Sequence, residues 1–522
     1  MALAKQAGKI GGLTFVSRIF GLIRDQLFAA LIGAGFFADA FVIAFRIPNL
    51  LRDLFAEGAL SNAFVPTFTK TRMQESEKDA WQVVRIVFAW ILIIVGALTL
   101  LGIIFAPQIV GLIAPGFDDI AGKKELTVLL TRIMTPFLLF VSLASVLMGI
   151  HNSYSHFSLP ASASVFFNLV SISCGLIIWK AGFDEHWAVI GWSIGTLLGG
   201  LAQFAIQLPP ILREKHSLWP SFQNLTSNLH VKEIFILMIP SVIALSGTQI
   251  NILVNSILAS LLEQGAPSWL NYAFRLMQLP IGVFGVAISV VALSAASQHA
   301  AANKMKEFHE HVGKSIQLAY LLTIPCAVGL CVMAEPIIKL IYERGAFTIA
   351  DTVRTAQALA FYSIGLPFYA VVKVKAPIFF TIKSSRVPMM ASLAGVGFNI
   401  LFNLWIYKKM GHRGLALGTS LGVMLNSIIL TFFYYKKTKE HFPVQNYLNL
   451  VKMILAAILM GCFIIWIRDT VQDHHFPVFY DKYVIPFGII FISGILYGAV
   501  LWSWNVPEIK QLMSTIKRKL FA

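Results

Sequence analysis

Runs of about 20 apolar residues, broken by short polar stretches, follow one another along the whole chain. As an α-helix, a run of that length crosses the ~30 Å hydrocarbon core of a bilayer. The pattern predicts about fourteen such helices, near residues 10–33, 36–60, 82–106, 126–150, 160–181, 187–211, 234–262, 268–297, 315–342, 354–380, 386–407, 413–435, 447–468 and 483–504. The first, second and eighth are the least uniform, because charged or polar residues interrupt them. Stretches near 107–120, 220–232 and 300–312 read as interfacial segments or loops. The expected fold class is an all-α polytopic membrane protein.

The pattern also repeats. Asp39-Ala-Phe-Val-Ile-Ala-Phe-Arg46-Ile-Pro48 aligns with Asn271-Tyr-Ala-Phe-Arg275-Leu-Met-Gln278-Leu-Pro280. Ala59-Leu-Ser-Asn-Ala aligns with Ala292-Leu-Ser-Ala-Ala, Pro136-Phe137 with Pro367-Phe368, and Phe167-Asn168 with Phe398-Asn399. All four matches share an offset of about 230 residues, which marks an internal duplication. Each unit holds about six helices, an even number that returns the chain to its starting side, so the repeats run parallel about an axis along the membrane normal. The expected domains are residues 1–220 and 221–440 as two six-helix lobes, with 441–522 carrying two further helices, and a substrate site is expected between the repeats.

Composition closes off a soluble alternative. Of 522 residues 57% are hydrophobic and 13% charged, against roughly 25% charged in a soluble domain. Mean hydropathy is +0.75. Lys5 and Lys9 precede an apolar stretch, but Arg18, Arg24 and Asp25 interrupt it, so a cleavable signal is not expected. The net charge of +16 is scattered among the spans and their flanks, without a basic domain or stacking motif. Nucleic acid is therefore excluded as a partner in favour of lipid phosphates and an anionic substrate.

The basic residues also suggest an orientation. Lys70/Arg72/Lys78, Arg213/Lys215/Lys232, Lys304/Lys306/Lys314, Lys383/Arg386, Lys436/Lys437/Lys439 and the tail Lys510/Lys517/Arg518/Lys519 fall on one side. About 20 Lys and Arg lie there and about 11 opposite, Lys408, Lys409 and Arg413 among the latter. Both termini are expected in the cytoplasm.

Ionisable residues inside spans are costly and therefore informative. They concentrate in the first span (Arg18, Arg24, Asp25), the second (Asp39, Arg46, Arg52, Asp53, Glu57), the eighth (Arg275) and the tenth (Lys373, Lys375). Asp39, Arg46 and Asp53 recur every seven residues and share a helix face, with Glu57 one turn beyond; Asn271, Arg275 and Gln278 share a face in the eighth span. Pro48 should bend the second helix and free carbonyls. Arg18, Arg24, Arg52 and Arg275 are the candidate substrate-binding residues, since a guanidinium grips a phosphate bidentately and stays charged. The competing reading is snorkelling to a headgroup layer, or structural pairs such as Arg24–Asp25 and Arg52–Asp53. Asp39, Arg46, Glu57, Asn271, Gln278 and Lys373 are candidates for gating or structural roles. Lys373 and Lys375, two apart, face opposite sides, so at most one should point into a cavity.

No Walker A, HExxH, GxSxG or CxxC pattern is present. No catalytic residue, metal or cofactor is therefore expected. Cys174, Cys326, Cys331 and Cys462 read as small hydrophobes, Asp118-Asp119 as a solvated loop, His151 and His156 as polar loop residues, and Trp81, Trp187, Trp502 and Trp504 as interface anchors.

Ser17-Arg18-Ile-Phe-Gly21-Leu-Ile-Arg24-Asp25, Gly33-Ala-Gly35, Ala38-Asp39-Ala-Phe41 and Arg46-Ile-Pro48-Asn49-Leu-Leu-Arg52 resemble the MurJ (MviN) family of the MOP superfamily. So do Phe55-Ala-Glu57-Gly58-Ala, Phe64-Val-Pro66, Tyr272-Ala-Phe-Arg275-Leu, Pro280-Ile-Gly282-Val-Phe-Gly285-Val-Ala and Val371-Val372-Lys373-Val374. The resemblance covers essentially the whole chain. It implies two six-helix lobes plus two C-terminal helices in a bacterial inner membrane, without enzymatic activity. It implies movement of lipid II, the undecaprenyl-pyrophosphate-linked peptidoglycan precursor, to the periplasmic leaflet, with cell-wall synthesis or division proteins as further candidate partners. Required arginines of the family match Arg18, Arg24, Arg52 and Arg275, and a required acid matches Asp39. Many relatives carry acids just before the eighth-helix arginine and three positions after it; this chain has Phe274 and Gln278 there, so a coupling role for those carboxylates does not transfer. Another MOP-type carrier of an anionic lipid-linked oligosaccharide, a cation-coupled drug exporter, a membrane enzyme acting on polyprenyl phosphates and a non-transporting cell-wall scaffold are the rival readings.

Overall fold

The structure, a computed structural model, describes residues 2–54, 60–214, 216–472 and 480–520. All regular elements among them are helical. Eleven helices are long and apolar enough to cross a membrane, or twelve if the bent pair Leu229–Val242 and Leu245–Ser260 is one span. The expected count of fourteen is not reached by this measure: the spans expected at 10–33 and 36–60 fall on charge-bearing helices outside that set. Chain contacts divide the protein into two compact units, residues 1–268 with 344–348, and 269–343 with 349–522.

The first unit contains α1 (Ala2–Ile32), α2 (Phe36–Leu51), α3 (Ser61–Gln74), α4 (Glu77–Ile104), α5 (Ala106–Ile113), α6 (Lys123–Met134), α7 (Phe137–Ser153), α8 (Ser158–Lys180), α9 (Glu185–Ala205), α10 (Leu208–Arg213) and α11 (Leu229–Ser260). Side-chain caps start several of them: Ser76 accepts from Asp79 N, Asp184 from Trp187 N, and Asn228 from Val231 N. Each satisfies one of the N–H groups that the first turn of a helix leaves open. The core gathers Phe64 and Phe68 of α3, Val83 and Val87 of α4, and Leu147 and Ile150 of α7, with Val231 and Ile234 of α11. Trp81, expected as an interface anchor, is buried here and stacks on His216 at 4.1 Å, whereas Trp187 and Trp502 are exposed as expected. His151, expected in a polar loop, is the buried last turn of α7, its Nε2 3.0 Å from the Gln207 carbonyl.

The second unit contains α12 (Ala266–Pro280) from Trp269 onward, α13 (Val286–Ala301), α14 (Met305–Val332), α15 (Ala334–Ile341), α16 (Ile349–Thr381), α17 (Arg386–Met410), α18 (His412–Thr438), α19 (Val444–Gln472), α20 (Ile485–Ser503) and α21 (Pro507–Leu520). Its core joins Ile288 of α13, Phe308 of α14, Val371 and Val374 of α16 and Tyr434 of α18. α17 and α18 approach closely where Gly395 and Gly422 meet: a Cβ on either would lie 2.6–2.8 Å from the other's carbonyl. Small residues at a crossing are how apolar helices pack without a solvent driving force.

The duplication reappears in the backbone. α4 stops at Phe105 and α14 at Met333, both with φ near −90° to −97°, and each is followed by an eight-residue helix. The span expected as 315–342 is therefore broken at Met333, and the stretch 107–120 is largely helical; residues 300–312 are also mostly helical. Pro48 and Pro280, matched in the sequence, are each followed by π-helical backbone, at residues 52–54 and Ile281–Gly285. A proline removes one ladder hydrogen bond and crowds the preceding turn, which the wider π turn accommodates.

A reciprocal backbone contact follows the same offset. A Cβ at Gly116 would run into the Ser260 carbonyl at the end of α11, and one at Gly345 (φ +58°) into the Ala30 carbonyl near the end of α1. Ala346 N also donates to Ala30 O at 2.8 Å. Gly345→Ala is expected to destabilise the protein by about 2 kcal/mol or more, from overpacking and a positive φ. Gly488→Ala in α20, where nothing lies within 4 Å, should change stability by under about 0.5 kcal/mol. Thermal unfolding of the detergent-purified variants checks the contrast.

Candidate functional site

The deepest charge in the first unit is Asp39, in the first turn of α2 and fully buried. Its Oδ2 accepts from Lys123 Nζ at 2.9 Å and from Gly265 N at 2.7 Å. Its Oδ1 accepts from Ser268 N at 3.0 Å and Ser268 Oγ at 2.5 Å. The carboxylate thus caps the opening turn of α12 from another helix, where open N–H groups and the helix dipole favour a negative charge. Lys123, the first residue of α6, is 1% exposed, and its ammonium lies 4.3 Å from the centre of the Phe117 ring. The next residue, Lys124, turns outward to Asp118 at 2.7 Å, both partly exposed. Asp118 thus sits in a solvated pair, as expected of that loop.

The second unit has a counterpart at the same offset. Trp269 Nε1 donates to Asp351 Oδ1 at 2.9 Å, joining the start of α12 to the start of α16 as Asp39–Lys123 joins α2 to α6. His412 Nε2 reaches the Arg354 carbonyl at 3.0 Å, and its ring lies 5.3 Å from that of Trp269. Lys123, Ser268, Trp269 and Asp351 were not among the sequence candidates. The only available signal was their position at the starts of duplicated helices.

The arginines divide between the units. Arg18 on α1 is half-buried and makes no ion pair among the described residues. Arg24 chelates Oδ1 of its neighbour Asp25 through Nε and Nη2, at 3.2 and 3.0 Å, and sits 5.4 Å from the Phe167 ring centre. Arg52 holds Asp53 in the same way, at 3.3 and 3.0 Å. The two neighbour pairs foreseen as a structural alternative therefore form. Asp25, which shares a helix face with Arg18 in the sequence pattern, bonds its neighbour Arg24. Arg46 is half-buried on α2.

In the second unit Asn271 and Arg275 are half-buried on α12 and Gln278 is exposed. Phe274, which stands where many relatives carry an acid, packs edge-on against Tyr362 at 5.3 Å. Lys373 is exposed while Lys375 is buried with Nζ 2.5 Å from Thr431 Oγ1, so the two lysines do face opposite ways. Glu57 lies outside the described residues. Asp39, a gating or structural candidate, bonds to Lys123 and the start of α12.

Each of these arginines is half-buried within its own unit, where a guanidinium can meet a phosphate oxygen. The family model described as lipid II flippase MurJ matches residues 28–485. A probable lipid II flippase MurJ of Buchnera aphidicola subsp. Schizaphis graminum is 31% identical over 497 residues, covering 95% of this chain and 96% of that protein. One of Rhizobium meliloti is 36% identical over 526 residues, covering 99% and 97%. A solved lipid II flippase MurJ in an inward closed conformation superposes with a TM-score of 0.80 at 28% identity, covering 95% of this chain and 99% of that one. An inward-facing MATE-family multidrug resistance transporter of the MOP superfamily shares the fold, with a TM-score of 0.69 at 15% identity, covering 81% and 94%.

Lys123→Met strands the buried Asp39 carboxylate and is expected to cost about 3–5 kcal/mol. Asp39→Asn combined with Lys123→Met should lose less than the two single losses summed, because the partners act as one unit. Thermal unfolding in detergent reads both; strictly additive losses would show the pair to be uncoupled.

Proposed function

The chain belongs to the lipid II flippase MurJ family, and from that membership we propose that it carries lipid II from the cytoplasmic to the periplasmic leaflet of a bacterial inner membrane. The observation that carries this reading is the family match over residues 28–485, with relatives aligned along nearly the whole chain and arginines at 18, 24, 52 and 275 all half-buried. Half-burial matters because a guanidinium in a low-dielectric setting binds phosphate more tightly than one in water.

The pyrophosphate is held by Arg18, Arg24, Arg52 and Arg275 while the polyprenyl tail stays in lipid, resting along the last two long helices. Arg24 and Arg52 exchange Asp25 and Asp53 for the phosphate oxygens, so their pairs hold the guanidinium groups ready while the site is empty. Arg18, which makes no ion pair among the described residues, is the first contact. The site opens to one side and then to the other. Asp39 anchors the start of α12 while the substrate loads, and its release accompanies the opening. Arg46, Asn271, Gln278 and Lys373 serve structural or gating roles on the same helices. Both termini remain in the cytoplasm, no bond of the substrate is broken, and no cofactor takes part. A charge crossing the potential contributes about 2.3 kcal/mol per 100 mV, enough to bias the cycle.

The test is complementation of a strain depleted of its own lipid II flippase, with membrane levels of each variant measured. Arg18→Ala and Arg275→Ala are expected to fail to support growth while present at wild-type levels. Normal growth with both would exclude the arginines as the phosphate grip.

A further inference from the structure

The first unit also holds a cavity of about 510 Å³ in which the arginines take no part. Ser17 of α1, Ser145 and Asn152 of α7, Gln203 of α9, Gln207 between α9 and α10, and Phe157 at the start of α8 supply its chemistry. No lining residue is charged. A charged ligand would leave water there without a counter-charge, and a purely apolar one would leave hydroxyls and amides unanswered.

Gln207 shows that the wall is a built one. It is 1% exposed, and its Nε2 donates to the Ala144 carbonyl at 3.3 Å and the Gln203 carbonyl at 2.9 Å. Its own backbone carbonyl accepts from His151 Nε2 at 3.0 Å. These bonds fix which way the amide faces and leave Oε1 as a buried acceptor with no partner. Such a buried acceptor keeps a polar point in the wall behind the cavity surface.

The geometry points to a carbohydrate subsite, one that takes the N-acetylated sugar of a lipid-linked headgroup. Serine hydroxyls and primary amides both donate and accept, as sugar hydroxyls and acetamido groups do. Phe157, Met148 and Pro160 line the same cavity and offer apolar surface to the C–H faces of a pyranose. The volume falls in the ~300–1,000 Å³ range of small-ligand sites. Ser17 immediately precedes Arg18, so a sugar here lies beside the segment of α1 that carries the first arginines. The subsite rests on the proposed function: the arginines take the diphosphate and this cavity takes part of the glycan.

The test uses the full chain in detergent and two probes, undecaprenyl pyrophosphate and lipid II. Ala161→Phe fills the cavity without touching the Gln207 bonds, and Gln207→Leu removes the acceptor. Both are expected to weaken lipid II binding about tenfold or more and leave undecaprenyl pyrophosphate within about twofold. Folding is read from the thermal midpoint; Ala161→Phe keeps the test decisive if Gln207→Leu does not fold. Equal loss for the two lipids, or no loss in a folded Ala161→Phe protein, overturns the subsite alone. Wild-type protein that binds neither lipid overturns the proposed function and the subsite with it.

Discussion

A carboxylate removed from water must be surrounded by donors or it will not stay charged, and Asp39 meets that condition four times over. Its donors come from the start of α6 and from the opening turn of α12, so one side chain on α2 determines where two other helices begin. Losing any one of these bonds leaves the others to hold a buried charge. The Trp269–Asp351 bond repeats the placement in the second unit with a neutral donor.

The same rule sorts the remaining charges. Lys123 and Lys124 are adjacent, yet one is buried against Asp39 and the other is half-exposed against Asp118. Lys373 and Lys375 divide in the same way on α16. Arg24 and Arg52 each keep an acid one residue away, a weak, short pair that an incoming phosphate can replace. The fully buried Asp39–Lys123 pair is thus held across helices, while the four arginines proposed to serve transport stay half-buried.

Much of the fold was legible because its signals are local. Apolar runs of membrane length located nearly every long helix, and motif pairs at one offset exposed the duplication before any coordinates. What the hydropathy could not show was that α4–α5 and α14–α15 are pairs of separate helices, interrupted at Phe105 and Met333. Partners distant in the chain were equally hidden. Lys123 lies 84 positions from Asp39, just ahead of an expected span, and nothing local marks it as buried. Trp81 and His151 were misjudged for a related reason, since their contacts, the His216 ring and the Gln207 carbonyl, lie far along the chain. Arginines in apolar runs, by contrast, stand out in the sequence alone.

The account stands or falls on which leaflet holds the substrate. The direct measurement is to deplete this protein in its native host and probe lipid II with an externally added reagent that reaches only the periplasmic leaflet. Lipid II should accumulate inside, out of reach, and return to the outer leaflet when the wild-type chain, but not Arg18→Ala, is restored. Unchanged access to lipid II after depletion, in cells with no second flippase, would contradict the assignment.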